Sequence, residues 1–284
     1  MPVSIAVCIP SYNHVEFIDQ CVNSALTLVP RPEEVIVRDD ASSDGSWEHL
    51  ATLANKVTLH RNDSNIGIGA NYRCLVDDAT TSHVVLLSSD DALHPSFSRI
   101  GGHRVGNARC LATGQFEFDS DSATLTRYSG SSYVIRRTDS PTRMVSYFSR
   151  GCGYSLPGTL WQREWLKGIP PLPRNAELAT DWYWALFTSS YGRIKFDARP
   201  LHLYRYHSRN TSHSDPLRWQ LSANHMLTYV LEKQILPAWT EPMIENARTR
   251  LSADTTTQDK RRLFLPLRQC IERIELRAMR RIYG

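Results

Sequence analysis

The chain has 284 residues, of which 41% are hydrophobic, and a formal net charge of +4. It can therefore bury an ample core in one large domain, or in one domain with an extension. The charge excess belongs to residues 236–284, so the neutral remainder argues against nucleic acid as the main partner. The sequence shows no signal peptide and no apolar run long enough to span a membrane, which predicts a cytoplasmic protein. Its six cysteines lack metal-ligand spacing and are predicted to be reduced thiols.

Strand and helix patterns alternate through the first ninety residues. Short apolar runs rich in Val, Ile and Leu predict strands, and the segments between them carry apolar residues at helical spacing. The predicted strands are 4–9, 34–38, 57–60 and 84–87, and the predicted helices are 17–28, 47–54 and 70–79. This alternation is typical of βαβ units and predicts an α/β fold with a mostly parallel, doubly wound central sheet.

The pattern changes after residue 100. Segments of β type recur between 110 and 136, a strand leads into a helix at 160–166, and an aromatic-rich helix covers 181–189. Segments 193–196 and 200–206 are predicted to be two closing strands. Asp215 and Pro216 predict the start of a helix that runs to about residue 231, because Asp caps a first turn and proline fits the first helical position. A polar link at 254–260 precedes a last helix.

Two adjacent carboxylates, Asp90 and Asp91, follow the fourth predicted strand. Their charges repel each other next to an apolar core, so the pair is favoured mainly where a cation or a donor-rich ligand compensates it. Ligands of an open parallel sheet bind at the carboxyl ends of its strands. The pair therefore predicts a site for a metal ion and a phosphate group.

Further polar segments follow strands or precede helices. Residues 10–13 follow the first strand, and Asp39 and Asp40 end the second. Carboxylates at a strand end can accept hydrogen bonds from ribose hydroxyls or a base N–H, whereas the nearby Asp44 is explained well as a helix cap. The glycines of segment 65–71 would let the backbone approach a phosphate, although their spacing is neither that of a dinucleotide fingerprint nor that of a P-loop.

Taken in order, these segments resemble the GT-A glycosyltransferases of family 2, which use nucleotide-sugar donors. The motifs are Pro-Ser-Tyr-Asn at 10–13, Asp-Asp-x-Ser-x-Asp-Gly-Ser at 39–46, Asn-x-Gly-x-x-x-Asn at 65–71 and Ser-Ser-Asp-Asp at 88–91. Downstream, segments 160–164, 180–182 and 203–212 resemble the family's acceptor-side strand and helix, its Glu-Asp-Trp/Tyr motif and its Tyr-Arg-x-His-x-x-x-x-Ser ending. The resemblance covers about residues 3–213 and implies a GT-A, Rossmann-like fold.

The resemblance implies a role for each matching position. The residues that would bind the donor nucleotide are Pro10, Tyr12, Asp39, Asp40, Asn65, Asp90 and Arg205, the last by neutralising the leaving group. The ligands of Mn²⁺ or Mg²⁺ would be Asp91, Asp90 and His207, which suits a hard cation bound to a diphosphate. Asp181 would be the catalytic base, and Trp182 would contact the acceptor.

The implied function is an inverting, metal-dependent transfer of a sugar from a nucleotide diphosphate, with UDP as the expected carrier, to a hydroxyl of a saccharide or glycolipid. The expected setting is polysaccharide or glycoconjugate synthesis. Ser88 stands where the family often has Asp, and Thr180 stands where it usually has Glu. These departures leave open a catalytically degenerate nucleotide-sugar-binding or scaffold protein of the same fold. A nucleotidyltransferase would need a Gly-rich, basic triphosphate loop near the N-terminus, and the sequence has none.

Two domains are predicted. Residues 1–214 would form the GT-A domain, with a nucleotide-sugar half at 1–100 and an acceptor half at 101–214, and residues 215–284 would form a helical extension. Apolar residues at 264, 267, 271, 274 and 278 repeat at helical spacing, with arginines on the other faces. This last helix would pack on its own domain, form a homodimer seam, or lie on the inner face of an anionic membrane near a lipid-linked acceptor.

Overall fold

The computed structural model describes residues 3–120, 122–129, 140–149, 156–208, 210 and 215–253. The strands are β1 (Ile5–Ser11), β2 (Glu34–Asp39), β3 (Thr58–Arg61), β4 (His83–Leu86), β5 (Ala92–Leu93), β6 (Cys110–Asp119), β7 (Thr124–Ser129), β8 (Thr159–Gln162) and β9 (Ile194–Tyr206). The helices are α1 (Ile18–Leu26), α2 (Ser46–Ala51), α3 (Ile68–Asp78), α4 (Phe97–Val105), α5 (Pro141–Phe148), α6 (Arg163–Gly168), α7 (Thr180–Tyr191), α8 (Pro216–Glu232) and α9 (Glu241–Ala253). Short 3₁₀ turns cover Leu156–Gly158, Arg174–Ala179 and Ala238–Thr240.

The first ninety residues form the parallel half of the sheet, which confirms the predicted alternation. β2 and β4 flank β1 in parallel, with Val7 opposite both Val35 and Val85, and β3 pairs with the outer side of β2. Every residue of β1 is buried. Because parallel strands end at the same side of a sheet, the residues that follow β1, β2 and β4 meet at one edge.

The second half of the sheet is mixed. β8 lies antiparallel between β4 and β6, and β6 pairs in parallel with β9 and antiparallel with β7. β5 pairs antiparallel with β9, so that Ala92 lies opposite Leu203. The full order is β3-β2-β1-β4-β8-β6-β9-β5, with β7 beside β6. The β5–β9 pair is the contact that brings the end of β9 to the residues following β4.

β9 is a single strand where the sequence predicts two. The apparent break at residues 197–200 is a region of shifted register against β6, at Thr113–Gln115. A Cβ at Gly114 would lie 2.6 Å from the carbonyl oxygen of Ala198, so only glycine fits this close backbone approach. The irregular pairing therefore preserves one continuous strand that carries Arg205 to the sheet edge.

Alternate residues of the buried strands contribute to two cores on opposite faces of the sheet. Ala6 and Cys8 pack with α3, α5, α7, α8 and α9 on one face. Val7 and Ile9 pack with α1, α2 and α4 on the other. The period of two along a strand explains this division. Both faces are covered, as predicted for a buried parallel sheet.

Some elements were not predicted from the sequence pattern, including β5, α4, α5 and α9. Helix α4 contains Gly101 and Gly102, which lower helix propensity. A Cβ at Gly101 would lie 3.2 Å from Leu160 of β8, so close packing on the sheet favours glycine there. Tertiary contacts therefore decide this helix against its local preference.

The helix predicted from Asp215 is confirmed as α8. The Asp215 side chain accepts a hydrogen bond from the Arg218 backbone N–H at 2.9 Å, and Pro216 occupies the first turn. The predicted last helix, the polar link at 254–260 and the β-type segment at 132–135 lie outside the described residues. Cys8, Cys21, Cys74 and Cys110 are free thiols, and Cys152 and Cys270 lie outside the described ranges. Among the residues described, no helix has the length and apolar character needed to cross a bilayer.

Candidate active site at the carboxyl edge of the sheet

A cavity of about 470 Å³ opens where β1, β2 and β4 end. Most of the residues predicted from the sequence line it, namely Pro10, Tyr12, Asp40, Asn65, Asp90, Asp91 and Asp181. Other lining residues come from the loops after β1 and β4, from the start of α3, from the 3₁₀ turn before α7 and from the start of α8. The edge of the parallel half is thus one wall, and residues 156–219 supply the facing side chains.

The first carboxylate pair, Asp39 and Asp40, is satisfied by donors of the protein. Asp39 is fully buried and accepts hydrogen bonds from the backbone and hydroxyl of Ser42, with the Arg61 guanidinium 3.5 Å away. Asp40 accepts from the Asn62 side chain at 2.8 Å. It also accepts from the backbone N–H groups of residues 66 and 67, at 2.9 and 3.0 Å. The pair therefore stabilises the loops that surround the cavity. Asp40 also lines the cavity, whereas Asp39 does not.

The second pair, Asp90 and Asp91, has a different environment. Asp91 Oδ1 accepts a hydrogen bond from the Arg205 backbone N–H at 2.8 Å. Within the described part of the chain, the buried Asp91 Oδ2 and the buried Ser11 hydroxyl have no hydrogen-bond partner, and both residues line the cavity. Buried polar atoms are rarely unsatisfied, so two of them at one cavity indicate a ligand.

Burial and the neighbouring charge act together on this pair. Burial raises the pKa of Asp91 well above its usual range, and the charge of Asp90 adds to the effect. For Asp90, burial acts in the same direction, but the hydrogen bond from His207 and the charges of His14 and His207 together outweigh it, so the pKa is lowered. Asp90 is therefore the member of the pair that carries the negative charge.

His14, Asp90 and His207 form a cluster beside the cavity, which His14 and Asp90 line and His207 does not. Their ligand atoms lie within 4.8 Å of one another, a spacing that could hold a metal ion. His207 Nε2 is 3.1 Å from Asp90 Oδ2, and the Asn210 amide donates to the same oxygen at 3.1 Å. The sequence predicted His207 and Asp90 for this site, but His14 lacks any metal-type spacing and was missed. Its position directly after the 10–13 motif was the available signal.

Arg205 lies behind the second pair, outside the residues that line the cavity. Its Nε donates to the Asp90 carbonyl at 2.7 Å, and its guanidinium also donates to Gln20. The same group lies 5.3 Å from the ring centroid of Phe17. The structure thus gives Arg205 a place from which it can position the Asp90–Asp91 turn.

Asp181 and Glu177 line the cavity from the start of α7 and from the 3₁₀ turn before it. Asp181 lies in the first turn of α7, and its Oδ1 accepts from the Trp182 backbone N–H at 2.7 Å. Glu177, which no sequence motif predicted, packs its carboxylate on Gly67, where a Cβ would overlap it. Burial raises the pKa of Glu177, and a hydrogen bond from the Gly69 backbone opposes the shift. Only the three-dimensional fold brings Glu177 to the glycines of segment 65–71.

Trp182 is a core residue. Its side chain is 3% exposed, and its indole N–H donates to the carbonyl of Phe148. The indole stacks on Trp219 with ring centroids 6.0 Å apart and planes 9° from parallel. Trp219, at the start of α8, lines the cavity and Trp182 lies behind it. The aromatic surface at the cavity therefore belongs to Trp219, which lies outside the predicted motif at 180–182.

Comparison with known proteins shows likeness in both sequence and fold. Residues 6–102 match the family model described as glycosyl transferase family 2. The abequosyltransferase RfbV of Salmonella typhimurium is 30% identical over 99 residues, which cover 31% of this chain and 28% of RfbV. The matched region thus spans just over a quarter of that curated relative.

The likeness in fold extends over most of the chain. S. aureus TarS 1–349, in complex with UDP-GlcNAc, superposes with a TM-score of 0.61 at 16% identity, covering 88% of this chain and 71% of that one. The mannosyltransferase PcManGT from Pyrobaculum calidifontis, in complex with GDP-Man and Mn²⁺, gives a TM-score of 0.57 at 13% identity and covers 90% and 77%. Residues 6–102 are therefore similar in sequence to glycosyl transferase family 2, and the chain shares the α/β fold of TarS and PcManGT.

Proposed function

We propose that this protein transfers a sugar from a nucleotide diphosphate donor, a UDP-sugar, to a hydroxyl group of a saccharide or glycolipid, with inversion at the sugar C1. The observation that carries the proposal is the cavity itself. It combines buried, unsatisfied acceptors at Asp91 and Ser11 with a carboxylate at Asp181. Its place at the carboxyl ends of parallel strands suits a nucleotide ligand. The family match of residues 6–102 and the nucleotide sugars bound by TarS and PcManGT support this choice of ligand class.

The donor nucleotide would bind at the Asp40 end of the cavity. Pro10, Tyr12 and Asn65 line this end, and the carboxylate of Asp40 faces the same space. Tyr12 is 46% exposed, so its ring has a free face on which a base can stack. Asp39 would act indirectly, because it holds the turn that begins at Asp40.

The residues at the other end fit a divalent cation. Asp90, Asp91 and His207 would hold Mn²⁺ or Mg²⁺. Asp90 and His207 belong to the cluster whose spacing could hold an ion, and the buried Asp91 Oδ2 beside them lacks a donor within the described chain. When bound, the cation would neutralise the charge that develops on the leaving diphosphate. Arg205 would keep Asp90 and Asp91 in place through its bonds to their backbone and side-chain oxygens.

Asp181 would be the general base. Its carboxylate takes the proton of the acceptor hydroxyl while the acceptor oxygen bonds to the sugar C1 and the C1–O bond to the diphosphate breaks. The products are a glycosylated acceptor and a nucleoside diphosphate. Attack from the face opposite the leaving group inverts C1. Trp219, backed by Trp182, would offer an aromatic face to the acceptor.

Substitution of Asp181 by Ala tests this function. The donor is first identified by thermal shift with a panel of UDP- and GDP-sugars in the presence of Mn²⁺. Nucleotide release is then measured with saccharide and polyprenyl-linked acceptors. We expect Asp181→Ala to bind the donor as the wild type does and to lose transfer by about 10²–10⁴-fold, because the acceptor proton has no carrier.

Glu245→Ala is the matched control, because Glu245 is an exposed carboxylate on α9 whose partner is Arg248. It should leave both donor binding and transfer unchanged. Full transfer activity in Asp181→Ala would refute the base assignment. Donor binding by the wild type without transfer to any acceptor would favour the non-catalytic binding protein instead.

A further inference from the structure

The loop between β1 and α1 places His14 at the proposed cation site. We infer that His14 is a further protein ligand of the cation, and that the two imidazoles of His14 and His207 select a first-row transition ion over Mg²⁺. The ligand atoms of His14, Asp90 and His207 lie within 4.8 Å of one another. This inference rests on the proposed function, because it names the class of ion that the same site takes.

The ring of His14 is held by the protein in a way typical of metal-binding histidines. Its Nδ1 is 2.7 Å from the Ser89 hydroxyl, and its backbone N–H donates to the Ser46 hydroxyl at 3.1 Å. A metal-bound histidine usually pairs its other ring nitrogen with a polar partner, which fixes the orientation of the ring. Ser89 would fill that role, and we assign the ion to Nε2.

Asp90 and His207 already have the spacing of two neighbouring ligands. His207 Nε2 and Asp90 Oδ2 are 3.1 Å apart. Two cis ligands on an ion with bonds of about 2.1 Å would be roughly 3 Å apart. Asn210 orients the carboxylate by donating to Asp90 Oδ2 at 3.1 Å, and it accepts from the His207 backbone N–H at 2.6 Å. The His14 and His207 rings are nearly perpendicular, with centroids 5.8 Å apart.

An independent observation supports a ligand here rather than a hydrogen-bonded Asp–His pair alone. Asp91 Oδ2 is buried in the same cavity and, within the described chain, has no partner. A hydrogen bond between His207 and Asp90 would satisfy Asp90 but would leave Asp91 Oδ2 without a partner. A cation adjacent to the pair would compensate both carboxylates.

The chemistry of the ligand set determines which ions are favoured. Imidazole nitrogen suits transition metals, whereas Mg²⁺ prefers oxygen ligands and keeps several waters. A site with only Asp90 and Asp91 would accept either class. Two imidazole nitrogens occupy coordination positions that oxygen atoms would otherwise fill. They should therefore shift the preference of the site from Mg²⁺ toward ions such as Mn²⁺ and Co²⁺.

The test measures metal binding directly, with Mn²⁺, Co²⁺ and Mg²⁺ as probes, in the presence and absence of UDP. Titration calorimetry gives the affinities, and pulsed EPR of bound Mn²⁺ detects coupling to imidazole nitrogen. We expect the wild type to bind Mn²⁺ at least tenfold more tightly than Mg²⁺, with coupling to two histidines. His14→Ala and His14→Gln should weaken Mn²⁺ binding by about 10–100-fold, change Mg²⁺ binding far less, and remove one nitrogen coupling.

His60→Ala is the control, because His60 is a partly exposed histidine near Asp78 that lies outside the cluster. Both His14 variants are checked for a wild-type melting temperature, so a folding defect is recognised. Unchanged Mn²⁺ affinity and couplings in a folded His14 variant would overturn the ligand assignment, and equal wild-type affinity for Mg²⁺ and Mn²⁺ would overturn the selectivity. If Mn²⁺ binds through His14 but neither UDP nor a nucleotide sugar binds, the site stands and the proposed function fails.

Discussion

Two pairs of adjacent aspartates lie at the ends of β2 and β4, the parallel strands on either side of β1, and their surroundings differ. Asp39 and Asp40 accept hydrogen bonds from Ser42, from Asn62 and from the backbone of the 66–67 loop. At the second pair, Asp91 Oδ2 has no donor within the described chain. The same dipeptide at the same kind of strand end is thus satisfied by protein donors in one case and keeps an unsatisfied oxygen at the cavity in the other.

The difference shows how to recognise a carboxylate that is meant for a ligand. A buried carboxylate whose lone pairs are filled by protein donors contributes to stability, since those donors would otherwise be unsatisfied. A buried carboxylate with an empty oxygen costs stability, because its charge is neither solvated nor paired. Such a cost is typical of functional sites, where a ligand compensates it.

The largest expected effect is the loss of the loop contacts of the first pair. Asp40→Ala should lower the free energy of unfolding by about 2–4 kcal/mol, because two backbone N–H groups and the Asn62 amide lose their acceptor. Urea denaturation followed by circular dichroism measures the change. Asp63→Ala, at an exposed carboxylate of the same loop, should stay within about 0.5 kcal/mol of the wild type. Equal stability of Asp40→Ala and Asp63→Ala would break the comparison.

The buried carboxylate of Asp197 extends the comparison, because its hydrogen-bond donors are arginine side chains. Burial opposes its ionisation, but hydrogen bonds from Arg199 and Arg104 outweigh it and lower the pKa to about 2. The unfolded value is higher, so this group stabilises the fold above about pH 4, and the contribution is lost as the pH falls toward 2.

Asp197→Asn should therefore be less stable than the wild type at pH 7 by about 1–2 kcal/mol, a figure reduced for the exposure of both arginines. The difference should shrink as the pH falls below 3. Unfolding free energies measured across pH 2–7 check this. Asp77→Asn, which removes an exposed carboxylate 3.4 Å from Lys167, should show almost no such trend. A pH-independent deficit in Asp197→Asn would mean that packing rather than charge is responsible.

The smallest expected effect has the opposite sign. Asp91→Asn retains an oxygen for the Arg205 backbone N–H and removes a carboxyl group whose ionised form is disfavoured by burial and by the charge of Asp90. Without ligand, the variant should be more stable by about 1 kcal/mol, or roughly 2 °C in melting temperature. With Mn²⁺ and UDP, the wild type should gain stability and the variant should gain much less. Differential scanning fluorimetry in both conditions measures this, and a ligand-free loss of stability would place Asp91 with the first pair.

Several site residues could be predicted because local signals and strand direction are enough. Pro10, Asp40 and Asp91 lie at or after the carboxyl ends of parallel strands. Because parallel strands end at one edge, their meeting at one cavity follows from the order of elements. Asp181 required more than that, because only the likeness to a family of enzymes linked its helix to this edge. The residues that the sequence missed, such as His14 and Glu177, carry no periodic or motif signal of their own.

The sequence by itself determined the alternating α/β half, the strand ends that hold the two carboxylate pairs, and the cap of α8. These depend on contacts near in the chain and on apolar periodicity, which a sequence displays directly. Only the tertiary structure decided which pair is satisfied and which residues stand at the cavity. The pairing of β5 with β9 brings Asp91 to Arg205, more than a hundred residues away in the chain. The stacking of Trp182 on Trp219 leaves Trp219, and not Trp182, at the cavity surface. Such long-range contacts depend on packing of the whole sheet, which no local pattern encodes.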